Sequence, residues 1–63
     1  MQSLALQEAM HRLDDRELNI IRLRFFEGKT QTEVADEIAI SQAQVSRLEK
    51  NALKSMRHYL ADE

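Results

Sequence analysis

The side chains able to do chemistry fall into two sets. The first is acid–base: the adjacent carboxylates Asp14–Asp15 and Asp36–Glu37, and the histidines His11 and His58. Proton transfer needs a positioned partner within hydrogen-bond reach. Neither carboxylate pair has a histidine or a nucleophile beside it, and the histidines lie far apart in sequence. There is no cysteine, which excludes disulfides, thiolate nucleophiles and zinc–thiolate sites. Gly28 is the sole glycine, so no Gly-rich phosphate loop can be built. The chain reads as a non-enzyme that needs no metal and no cofactor. The second set is cationic. Residues 41–60 carry Arg47, Lys50, Lys54 and Arg57 against Glu49 alone, while the whole chain has a net charge of −2. Cations gathered on one segment are a footprint of a phosphate-bearing partner even when the sum is acidic; periodicity alone equally allows a solvated helix back, although such a face more often mixes signs.

The elements that must hold these cations are helices. The chain has 63 residues, room for one domain, and a chain of that size is too small to wall off a deep pocket. Nothing alternates with period two for long enough to make a sheet, whereas helical spacing and cap signals recur. Ser3 can cap a first helix of about residues 4–13, with Leu6, Met10 and Leu13 on one face. Asp14 with Glu17 forms a capping box and opens a second helix to Phe26. Gly28 then stops it by adopting the left-handed conformation. Thr30 with Glu33 opens a short third helix to about Ile38, and Ser41 with Gln44 opens a long fourth, about residues 42–60. The expected fold class is all-α, a small four-helix domain. No apolar run approaches the ~20 residues of a membrane span and no signal peptide is visible, so a cytoplasmic location and no membrane partner are expected.

Residues 31–50 carry a sharper signal. Counting Gln31 as the first position, apolar residues fall at the fourth (Val34), eighth (Ile38), tenth (Ile40), fifteenth (Val45) and eighteenth (Leu48), with the small Ala35 at the fifth. This is the spacing of a helix-turn-helix, in which two helices meet steeply across a short turn. The fifth residue must be small where the second helix passes close, and the tenth plugs the corner. The ninth, often glycine, is Ala39. If the turn is left-handed there, alanine costs about 1 kcal/mol.

Projected at the α-helical period, the fourth helix puts Val45, Leu48, Ala52, Met56 and Tyr59 on one stripe, and Ala43, Ser46, Arg47, Lys50, Lys54 and Arg57 opposite. Such a motif lays its second helix in the major groove. Gln42, Ala43, Ser46 and Arg47 are the candidate base contacts: arginine suits guanine O6/N7, glutamine suits adenine N6/N7, and alanine a thymine methyl. Thr30, Gln31 and Thr32 offer the N-terminus of the motif's first helix to a backbone phosphate. Lys50, Lys54 and Arg57 are placed for the backbone as well. Gln44 is expected to close its capping box rather than read bases. Glu49 falls near the apolar stripe and calls for a cationic partner, Arg22 or Arg24. Ile20–Phe26 holds five apolar residues in seven, more than one helix face can bury, so Leu23 or Phe26 is expected to stay exposed.

These stretches resemble the C-terminal DNA-binding domain of bacterial sigma factors, region 4, along almost the whole chain. LDDRELNIIRLRF, Leu13–Phe25, looks like region 4.1, and KTQTEVADEIAISQAQVSRLEKNALKSM, Lys29–Met56, looks like region 4.2. ISQAQVSRLEK is particularly similar to the sporulation and stress sigma factors of the sigma-F and sigma-G type. The resemblance implies one region 4 domain over residues 1–63, with region 4.1-like helices at 4–27 and a region 4.2-like helix-turn-helix at 29–60. It implies recognition of the promoter −35 element within RNA polymerase holoenzyme, with the same four base-reading positions. It also implies docking of the polymerase β-subunit flap around region 4.1, with an anti-sigma factor as a competitor there. Segments that melt the −10 element are missing, so the chain is expected to be a domain cut from a longer factor. Two alternatives differ in class. A LuxR-type output domain shares the helix-turn-helix and an upstream L-x-x-R-E run but lacks the R-L-E-K-x-A-L-K tail. A helical protein-interaction module is favoured slightly by the acidic net charge.

Overall fold

A computed structural model describes residues 4–61 as helices joined by short turns. α1 is Leu4–His11, α2 is Asp15–Ile21, α3 is Gln31–Ile38 and α4 is Gln42–Ala61. The all-α architecture with a helix-turn-helix is as expected. Ser3, the expected first cap, lies outside the described residues. α1 stops two residues earlier than its apolar spacing suggests. Its end tightens, with Arg12 N–H donating to the Ala9 carbonyl at 3.2 Å and Leu13 N–H to Met10 at 3.1 Å. Those are three-residue steps, the usual way a helix closes its last turn.

The three capping boxes form. Asp14 Oδ1 accepts from Glu17 N–H at 2.7 Å while Glu17 reaches back to Asp14 N–H at 3.4 Å. Thr30 and Glu33 pair at 3.1 and 2.8 Å, and Ser41 and Gln44 at 3.1 Å in both directions. Each box satisfies two N–H groups that a helix start leaves without partners.

The second helix does not run to Phe26 as one α-helix. Beyond Ile21 it widens into a π turn, Arg22–Phe26, closed by Glu27 N–H to the Arg22 carbonyl at 3.0 Å and Lys29 N–H to the Leu23 carbonyl at 2.9 Å. Gly28 ends it at φ 73°. Of the two residues expected to stay exposed, Phe26 does, at 49%, and Leu23 does not, at 2%; Phe25, counted among the helix's apolar positions, joins Phe26 outside at 52%. Leu23 packs instead with Val34 and Val45 in the core.

α4 packs against α1, α2 and α3 and is the spine of the domain. The core has two lobes. Ala9, Met10, Leu13, Ile21, Ala52 and Met56 form one, and Ile20, Leu23, Val34, Ala35 and Val45 the other. Full burial of an aliphatic side chain contributes roughly 1.5–3 kcal/mol, so the wholly enclosed Ile20, Val34 and Val45 are the costliest to truncate. Ile38, Ile40 and Leu48 pack at the edge of the second lobe, where the motif's spacing puts them.

The turn itself is left-handed. Ala39 has φ 60° and ψ 46°. Its N–H and that of Ile40 both donate to the Ala35 carbonyl, the latter at 3.1 Å. The Ile40 bond is the outer bond of a Schellman closure. The domain thus adopts the turn that glycine favours with an alanine.

Candidate nucleic-acid interface

α4 presents its N-terminal turns beyond the turn at Ala39. Gln42, Ala43 and Arg47 are exposed and Ser46 is half-buried. Between them Val45 is wholly buried and Leu48 half-buried, so the inner face is anchored and the four candidate side chains share the outer one. Lys50, Lys54 and Arg57 continue that face, all exposed. Gln44 is committed to its capping box, as expected.

The start of α3 lies beside this face in the motif. Thr30 and Thr32 are exposed and Gln31 is half-buried. The Thr30 hydroxyl already accepts from Glu33 N–H, which leaves its own proton to donate. The N–H groups of Gln31 and Thr32 have no intrahelical partner by position, and the helix dipole makes that end attractive to an anion. Glu33 stands against this, as a carboxylate on the same turn. The Thr30 backbone N–H, then its hydroxyl, hold the Glu33 carboxyl below its ordinary pKa. Lys29 is drawn away from the start of α3: it pairs with Glu37 at 3.2 Å, which raises its pKa, the hydrogen bond being the main cause and the charge of Glu37 the next.

Gln31 has a contact that its sequence position did not announce. Its Nε2 lies 3.4 Å from Glu49 Oε1, so the side chain leans toward α4 while its backbone stays at the helix start. Glu49, 9% exposed, has the cationic partner its position demanded. Of the two candidates it is Arg24, whose Nε donates at 2.7 Å; Arg22 is exposed. A second guanidinium nitrogen of Arg24 donates to the Lys29 carbonyl at 2.7 Å, a bond no sequence pattern signals.

A second, apolar surface borders α4, and Leu53 joins it to the cationic stretch at Lys50, Lys54 and Arg57. A shallow hollow of about 200 Å³ is lined by Leu6, Met10, Ile21, Phe25, Phe26, Leu53 and Met56. Leu60, 39% exposed, continues it along α4. Near the end of α4 the Tyr59 hydroxyl donates to Glu8 of α1 at 2.7 Å while Arg12 stacks over the ring at 4.4 Å. Glu8 and Tyr59 are 51 residues apart, too far for any local signal to link them. Among the described residues no helix is long and apolar enough to cross a membrane.

Residues 9–58 match the family described as Sigma-70, region 4. The chain belongs to this family. The match covers both the region 4.1-like and the region 4.2-like stretches. The chain is 62% identical over 60 residues to the RNA polymerase sigma-G factor of Clostridium acetobutylicum, covering 95% of this chain and 23% of that protein. It is 68% identical over 56 residues to the sigma-G factor of Bacillus subtilis, 89% of this chain and 22% of that protein. With the sigma-F factor of Bacillus licheniformis the figures are 53% over 57 residues, 90% and 22%. The chain thus spans less than a quarter of the length of these relatives. No solved structure matches it.

Proposed function

We propose that this region 4 domain reads the promoter −35 element in the major groove as part of RNA polymerase holoenzyme, in a sigma factor of the sigma-F/sigma-G kind. One observation carries the reading. The N-terminal turns of α4 are anchored from within by Val45 and Leu48, which leaves Gln42, Ala43, Ser46 and Arg47 together on an outward face, beside the capped start of α3. Arg47 takes guanine O6/N7, Gln42 an adenine edge and Ala43 a thymine methyl. Thr30, Gln31 and Thr32 contact phosphate on one flank, and Lys50, Lys54 and Arg57 on the other. The division into residues 4–27 and 29–60 within one domain over residues 1–63 is part of the same reading. It displaces the LuxR-type alternative, which shares the motif but not the family.

The apolar hollow beside α4 supports a second surface. Its lining by Phe25, Phe26, Leu53 and Met56 suits an amphipathic helix laid in a groove. The polymerase β-subunit flap is the proposed occupant, with an anti-sigma factor as its competitor.

The test is a titration of −35-like and scrambled duplexes at several salt concentrations. With a net charge of −2, non-specific binding should lie at or beyond the weak end of ~10⁻⁴–10⁻⁶ M and fall steeply with salt. Arg47→Ala should cost about 1–3 kcal/mol and relax preference at one base pair, whereas Lys54→Ala should weaken all sequences alike. Equal losses on every sequence for Arg47→Ala would make it a phosphate contact and refute its role.

A further inference from the structure

We propose that Arg24 is a positioning residue for DNA reading: one guanidinium locks α4 to the segment that starts α3, so that base-reading and phosphate-contacting groups meet the duplex in a single register. The inference rests on the DNA face proposed above.

Arg24 lies within the π turn with its side chain only 26% exposed. A cation there must be matched. The structure matches it twice. Nε donates to Glu49 Oε1 at 2.7 Å, and a terminal nitrogen donates to the Lys29 carbonyl at 2.7 Å. Glu49 lies on α4 between Leu48 and Lys50, two residues past Arg47. The Lys29 carbonyl lies immediately before Thr30, the cap of α3. The same Glu49 oxygen receives the Gln31 amide at 3.4 Å, so the first residue of α3 joins the network. Side-chain exposure is 26% for Arg24 and 11% for Glu49, which keeps solvent from loosening the pair.

Two physical points separate positioning from mere stability. Replacing a buried ion pair with apolar side chains of similar size is often neutral or stabilising, so such a pair is weak evidence of a stabilising role. Second, the guanidinium is a rigid planar fork that fixes the angle between its two acceptors, whereas an ammonium supplies charge without that angle. The π turn contributes by placing Arg24 within reach of the Lys29 carbonyl, where the chain turns toward α3.

The experiment compares wild type, Arg24→Lys and the double variant Arg24→Met, Glu49→Leu. Each is melted by circular dichroism and titrated by fluorescence anisotropy with a −35-like and a scrambled duplex. Both variants are expected to remain folded and to bind scrambled duplex as wild type does. Their preference for the −35-like duplex is expected to fall by about tenfold, and Arg47→Ala is expected to cost less in either background than in wild type. Folded variants that keep the wild-type preference overturn the proposal. So does loss of fold in both, which would make the network structural. If wild type itself shows no preference, the DNA face is wrong and the positioning role falls with it; that failure is visible before any variant is examined.

Discussion

Ala39→Gly should stabilise the domain. Ala39 holds φ 60° and ψ 46° with its side chain exposed, so removing the methyl sacrifices no packing. An L-residue in the left-handed region costs roughly 1–2 kcal/mol relative to its preferred conformation. Glycine removes that cost but enlarges the conformational freedom of the unfolded chain, which offsets about 0.4–1 kcal/mol. The difference leaves a gain of about 0.5–1 kcal/mol. For a domain of this size, 1 kcal/mol shifts Tm by about 4–8 °C, so a rise of roughly 2–8 °C is expected in a thermal melt followed by far-UV circular dichroism. Ala39→Val provides the opposite sign, because a β-branched residue tolerates positive φ least. The bonds from residues 39 and 40 to the Ala35 carbonyl are made by backbone N–H groups and survive both changes. An unchanged or lower Tm for Ala39→Gly would refute the reasoning, as it would mean that the turn is not left-handed in solution.

Three further outcomes are expected. Glu33, held below its ordinary pKa by Thr30, contributes stability that is present above the unfolded glutamate value and lost as pH falls through its lowered folded value; Glu33→Gln should flatten the acid limb of a Tm-against-pH curve starting near the ordinary value of about 4.3, and an unaltered limb would contradict this. Tyr59, the one tyrosine in a chain without tryptophan, should ionise above the usual tyrosine value because its hydroxyl donates to Glu8; the stability this contributes is present below that value and lost as pH rises through the raised one, and Glu8→Gln should move the phenolate absorbance titration back down. Phe26→Ser should abolish binding of an amphipathic flap-tip helix in chemical-shift mapping while leaving duplex binding intact, with about 1 kcal/mol or less lost in stability because half of the ring is already in solvent; shifts confined to residues 42–50 in the wild-type titration would merge the two surfaces and defeat the assignment.

The parts of the fold legible in the sequence are those governed by local chemistry. Asp14–Glu17, Thr30–Glu33 and Ser41–Gln44 announced the helix starts because a capping box involves residues three apart and nothing else. The helix-turn-helix was legible because its spacing encodes a crossing: small Ala35, corner Ile40, anchors Val45 and Leu48. Glu49 announced its need for a partner through its place near the apolar stripe. The π turn was illegible as such. Ile20–Phe26 offered more apolar residues than one face could bury and left open whether Leu23 or Phe26 would stay out; the choice is made by the seating of Leu23 in the lobe with Val34 and Val45, a tertiary meeting. The leaning of Gln31 toward Glu49 and the clasp of Glu8 and Arg12 on Tyr59 depend on the tertiary approach of distant segments. Local patterns carry no trace of such meetings.

The two-lobed core sets the order in which the domain comes apart. α1 fastens only to the lobe containing Ala52 and Met56, and α3 only to the lobe containing Ile20 and Val45; α2 and α4 belong to both. A partial opening that lifts α1 exposes Ala9, Met10 and Leu13 yet breaks none of the contacts that seat α3 on the first turns of α4. Openings of this kind occur as cooperative sub-units with free energies below that of global unfolding. Amide protons of α1 are therefore expected to exchange with solvent through an excursion that those of α3 do not share. The domain has a soft edge and a hard one: it can breathe at the α1 end while the helix-turn-helix stays closed.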